Sequence, residues 1–115
     1  MDNRDAIAAL GALAQETRLD LFRLLVTTGP HGLPAGAIAE RLGVVPSSLS
    51  FHLAQLAHSG LIVQRRSGRQ LIYSAAYVRM NELLAYLTEN CCGRGDKFVA
   101  ACDPADVQPT VHRAR

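Results

Sequence analysis

Apolar residues recur at helical spacing in two opening stretches. In DAIAALGALA, Ile7, Leu10 and Leu13 share one side, and in ETRLDLFRLLVTT the residues Leu21, Leu24 and Leu25 do so with Arg18 and Arg23 off that face. The spacing predicts two helices. GPHGLP, dense in turn formers, separates them from AGAIAERLG, a short helix that Gly43 stops. VVPSSLSFHLAQLAHSG then offers Pro46 at a first helical position and Gly60 as a C-terminal stop. After Gly60 the period changes: LIVQRR and RQLIYSA are β-branched or aromatic runs separated by Ser67-Gly68, which predicts a hairpin with a two-residue turn. A last helix over about Tyr77 to Cys92 repeats apolar residues at Met80, Leu83, Leu84, Leu87 and Cys91, and that stripe requires a second surface.

A short helix, a turn containing Gly and a second helix make a helix-turn-helix pattern. At about 100° per residue, Leu49, Leu53 and Leu56 of the second helix fall together, with Ser47, Ser48, Phe51, His52 and Gln55 opposite. The leucines are candidate core. Ser47, Ser48, Ser50, His52 and Gln55 are candidate DNA contacts, able to reach base edges, while the N-terminal turn offers backbone N–H groups to phosphate. A polar face of this kind is also what any amphipathic surface helix shows. The hairpin adds a second signal. Arg65, Arg66 and Arg69 crowd its tip and repel one another without an anionic partner, although sheet edges also carry charge to avoid aggregation. Helix and wing together point to double-stranded DNA. Arg18, Arg41, Arg113 and Arg115 are lesser candidates, read as solvated surface charges.

Composition narrows the class. A chain of 115 residues with 49% hydrophobic and 19% charged residues is one domain with a modest core, for which a partner subunit would bury more. The net charge of +2 favours an anionic partner only weakly, so local placement decides. MDNRDAIAALG carries acids where a signal peptide carries lysines, and Gly29, Pro30, Gly32, Pro34 and Gly36 interrupt the longest uncharged stretch. The expectation is a soluble, cytoplasmic protein with no membrane partner. In that compartment the three cysteines, all within ENCCGRGDKFVAACDP, are expected as reduced thiols that bind metal or react.

Three segments, LAQETRLDLFRLL, AIAERLGVVPSSLSFHLAQLAHSGLI and RRSGRQLIYS, resemble the ArsR/SmtB winged helix-turn-helix repressors over about residues 5 to 92. The resemblance lies in order and spacing: a TR-containing second helix, LGV before SSLSFHLAQL, then GLI and a GR hairpin. It implies a mainly α fold of four helices, a β-hairpin wing and a fifth helix, closed into a homodimer by the first and last helices. It also implies operator binding in the ligand-free state and release by an inducer. Residues 1–92 would form the DNA-binding and dimerisation domain, with 93–115 a loop and tail carrying Cys102.

Members of the family hold inducers in different places. The third helix here, AGAIAERLG, lacks the cysteine cluster of many arsenic sensors, and YVRMNELLAYLTEN lacks the histidine of the zinc sensors. Cys91, Cys92 and Cys102 remain, similar to the C-terminal three-cysteine site of a subset of arsenite- or antimonite-responsive members. Three thiolates form a soft donor set, suited to As(III) or Sb(III) in a three-sulfur pyramid, whereas structural zinc normally takes four ligands. Adjacent cysteines on a helix stand about 100° apart, so the helix must fray or twist at Cys92, which Gly93 and Gly95 permit. Other readings stay open: a Cys92–Cys102 disulfide as a redox switch, thiols that only pack, Zn(II) or Cd(II) with His112 or water as fourth ligand, or Pb(II) as the inducer. No enzyme and no catalytic cofactor are expected, since a Cys-x5-Arg loop and a Ser/His/Asp set are both missing.

Overall fold

Asp2 begins the first helix, α1 (Asn3–Leu13), by accepting a hydrogen bond from the backbone N–H of Asp5 at 2.8 Å, while the Asp5 carboxylate reaches back to the N–H of Asp2. Gln15 caps α2 (Glu16–Thr28) through its side-chain oxygen, which accepts from Arg18 N–H at 2.9 Å. In this computed structural model, which describes residues 1 to 93, α3 (Ala35–Leu42) and α4 (Pro46–His58) follow, then strands β2 (Ile62–Ser67) and β3 (Gln70–Ala75) and helix α5 (Tyr77–Leu87). A two-residue strand, β1 (Leu33–Pro34), precedes α3, and a 3-10 turn spans Cys91–Gly93. Gly95, Cys102, His112, Arg113 and Arg115 lie outside the described residues.

The helix order matches the sequence pattern; three details do not. GPHGLP is more than a turn, because β1 pairs antiparallel with β3 (Leu33 with Tyr73, Pro34 with Ile72) and makes the hairpin a three-stranded sheet ordered β1-β3-β2. The hairpin turn is Gly68-Arg69 and not Ser67-Gly68, since Ser67 still pairs with Gln70; Gly68, at φ 64°, takes the first turn position. Finally, α5 stops at Leu87, five residues short of the expected Cys92. Thr88 ends it, its hydroxyl donating to the Leu84 carbonyl at 2.8 Å, and Asn90 then takes φ 58°, which no helix continues through.

The core sits where the helices meet the root of the hairpin. Leu21 and Leu25 of α2, Ile38 of α3, Leu49 and Leu56 of α4 and Leu61 are almost wholly buried. The second helix turns Phe22 inward too, leaving Leu24 only partly covered. On α1 the inward residues are Ala6, Ala9 and Ala12, so the helix approaches closely with small side chains, and Ile7 and Leu10 are left outside at 61% and 42% exposure. The last helix divides its apolar stripe: Leu83 is buried and Met80 partly so, while Leu84 and Leu87 face solvent. Polar ties hold α5 in place. Tyr77 Oη donates to the Val26 carbonyl at 2.9 Å, Tyr86 Oη to Asn3 Oδ1 at 3.1 Å, and Arg79 pairs with Asp5 at 3.5 Å.

Candidate nucleic-acid interface

Helix α4 is built for two-sided use. Pro46 supplies the fixed φ of a first helical residue, and the far end closes with Leu61 N–H donating to the Leu56 carbonyl across Gly60. Leu49, Leu53 and Leu56 bury the inner side as the sequence indicates. Ser47, Ser50 and Gln55 are exposed on the outer side and Ser48 is partly so, with Phe51 and His58 among them.

His52 departs from that face. It is only 8% exposed, and its Nδ1 lies 3.3 Å from Arg18 Nη1. A guanidinium can only donate, so Nδ1 accepts, and Nε2 is assigned the ring hydrogen. The physical reason lies in the angles: His52 stands about 40° from Leu56 on a helical wheel and about 100° from Phe51. Arg18 is equally not a solvated charge. Its Nε donates to the Ala12 carbonyl at 2.7 Å, so one side chain of α2 joins the end of α1 to the middle of α4. Periodicity has no means of finding this pair, whose members are 34 residues apart.

Arg65, Arg66 and Arg69 are all exposed on the hairpin. They are not equivalent, because Arg65 Nη2 donates to the His31 carbonyl at 2.7 Å, which fixes that guanidinium against the loop before β1. Arg66 and Arg69 form no hydrogen bond or ion pair among the described residues. Between α4 and the hairpin lies an open concavity of about 630 Å³, lined by Ser50, Ala54, Ala57, Val63, Gln64 and Tyr73. A polar helix face, an arginine-bearing hairpin and a concavity between them can receive a polyanion of regular shape.

The other candidate group lies beyond α5. Cys91 and Cys92 are in the 3-10 turn, with Cys92 at φ 59°, and their sulfurs are 3.6 Å apart. Leaving the helix brings the two side chains to one side, which a continued α-helix would not do. Among the described residues no group of three or more His, Cys, Asp or Glu side chains is placed to hold a metal ion. Cys102, the third member of the expected set, lies outside them. No helix among these residues is long and apolar enough to cross a membrane.

Residues 13–65 match the model of a helix-turn-helix domain family. The chain is 31% identical over 87 residues to the HTH-type transcriptional regulator YgaV of Escherichia coli, covering 76% of this chain and 86% of that protein. Among solved structures it resembles a possible transcriptional regulator for arsenical resistance, with 29% identity, TM-score 0.60, and coverage of 69% of this chain and 79% of that one. It also resembles the homodimeric winged helix-turn-helix domain of a possible ArsR-family regulator from Mycobacterium bovis, at 27% identity and TM-score 0.60, over 76% of this chain and 81% of that one.

Proposed function

Since this chain belongs to the ArsR/SmtB family of winged helix-turn-helix transcriptional regulators, we propose that it is a cytoplasmic repressor that holds operator DNA as a ligand-free homodimer and leaves it when As(III) or Sb(III) binds Cys91, Cys92 and Cys102. The observation that carries the DNA half is the outer face of α4 beside the exposed arginines of the hairpin. In a dimer the two α4 helices enter successive major grooves, about 34 Å apart on a palindromic operator. Ser47, Ser48, Ser50 and Gln55 read base edges, and Arg65, Arg66 and Arg69 hold phosphate. His52 acts from inside, by fixing α4 through Arg18.

The dimer closes through α1 and α5. Supporting this, Ile7, Leu10, Leu84 and Leu87 are exposed apolar residues, and Leu84 also lines a groove of about 310 Å³ walled by Leu13, Leu19, Phe22, Val26 and Met80. Residues 1–92 thus read and dimerise, and 93–115 bring in Cys102. The donor types suit a thiophilic ion: reduced Cys91, Cys92 and Cys102 would offer three soft thiolates and no hard oxygen ligand. Capture there reshapes the end of α5, next to the dimer surface. A coupling of about 1 to 3 kcal/mol is enough to lower operator affinity about five- to 150-fold.

Two measurements test the halves separately. Replacing Arg66 or Arg69 with Ala should weaken binding to every duplex and reduce the slope of log affinity against log salt by about one for each phosphate left without its arginine, read by fluorescence anisotropy. An unchanged slope removes the hairpin from the interface. Replacing Cys102 with Ser should leave the ligand-free affinity intact and abolish release by arsenite or antimonite. Release that survives the substitution puts the inducer elsewhere, and release by cadmium or zinc alone overturns the metalloid assignment.

A further inference from the structure

Phe51 is unlike its neighbours on the outer face of α4. Ser47 and Gln55 flank it at about 40° to either side on the helical wheel, so an aromatic ring occupies the middle of a polar face. It keeps 58% of its surface in solvent. The ring is also held from beneath: it meets the His52 ring edge-on, with centroids 5.6 Å apart and planes at 66°, and His52 is itself fixed by Arg18. A ring so placed gains its hydrophobic free energy only when a partner covers it, and little side-chain freedom is then lost.

The partner must present an apolar group amid hydrogen-bonding ones, and must be anionic at its flanks to match the hairpin arginines. The major groove of DNA meets both conditions. Its only projecting apolar group is the C5 methyl of thymine, which sits among base-edge donors and acceptors between two lines of phosphate. We infer that Phe51 is a specificity-determining residue that packs against a thymine C5 methyl in each operator half-site, so that T·A is chosen over C·G there by an apolar contact. This rests on α4 being the helix that reads DNA, as proposed above. Ser47 and Gln55 then supply hydrogen bonds to the bases on either side.

The test removes the methyl and nothing else. An operator is selected from random duplexes with the full-length protein and footprinted, and each protected thymine is replaced in turn, in both half-sites, by deoxyuridine. Wild-type affinity should fall about fourfold per methyl at one symmetry-related position, the factor expected for one buried methyl-sized group. The Phe51→Ala protein should bind more weakly overall and lose nothing further on that substitution, and Phe51→Leu should keep part of the penalty. Unchanged thermal melting of both variants excludes misfolding as the cause. Three results overturn the assignment: indifference of the wild type to every deoxyuridine, an undiminished penalty in Phe51→Ala, or a footprint without thymine. Failure of the wild type to select any duplex instead removes the DNA reading beneath it.

Discussion

Replacing Gly32 with Ala is expected to destabilise the chain by about 3 kcal/mol, combining about 1 to 3 kcal/mol for a non-glycine residue at positive φ with about 1 to 3 kcal/mol for overpacking. Gly32 is buried at φ 70°, in the loop before β1. A Cβ built there meets the Tyr73 carbonyl oxygen at a forbidden separation and the Ile72 Cγ2 at 2.9 Å. Neither neighbour can yield, because both belong to β3 at the positions where β1 pairs. The melting temperature at fixed protein concentration should fall by at least about 12 °C, given about 4 to 8 °C per kcal/mol for a domain of this size. Gly43→Ala provides the comparison: its φ of 66° is similar, but nothing lies within 4 Å of the added carbon. That variant should lose only about 1 kcal/mol. Equal losses by calorimetry would mean that close approach to β3 is not what Gly32 is for.

Arg18→Ala should cost about 2 to 4 kcal/mol and, on the proposed function, weaken operator binding, although Arg18 lies beneath the candidate reading face. The substitution removes the donors to the Ala12 carbonyl and to His52 Nδ1, and the 8% exposure of His52 leaves little water to replace them. Each stranded acceptor costs about 1 to 3 kcal/mol. Lysine at this position should recover less than half of the loss, since one ammonium cannot reproduce two donors set in a rigid plane. A double-mutant cycle with His52→Ala, followed by denaturant titration, separates the pair from its surroundings. A coupling of about 1 kcal/mol is expected, and strictly additive losses would show that the two side chains act independently.

These two sites also mark where the sequence is readable and where it is not. Apolar periodicity places every helix and the hairpin, and assigns Leu49, Leu53 and Leu56 to the core, because a helix face or strand run repeats its signal over many residues. It leaves His52 outside when polarity is given more weight than an angle about 40° from Leu56. What decides the matter is a partner distant in sequence, and no local pattern encodes it. Strand β1, two residues long, has no period to detect and exists only because β3 has an edge to offer. The apolar stripe of α5 carries through to Cys91 by spacing alone, while the left-handed turn at Asn90 ends the geometry that the spacing assumes. The candidate DNA face is therefore legible in outline, and its internal bracing is not.

Pro34 of β1 is followed directly by Ala35 of α3, and the same strand is bonded along β3, while Arg65 reaches across to the His31 carbonyl. The hairpin is therefore bolted at its base to the helix-turn-helix and cannot swing about its own root without breaking that strand. Hairpin and α3 are thus tied together through one strand. On the proposed function, a signal from the end of α5 would meet the hairpin and α3 as joined elements and not as separate ones.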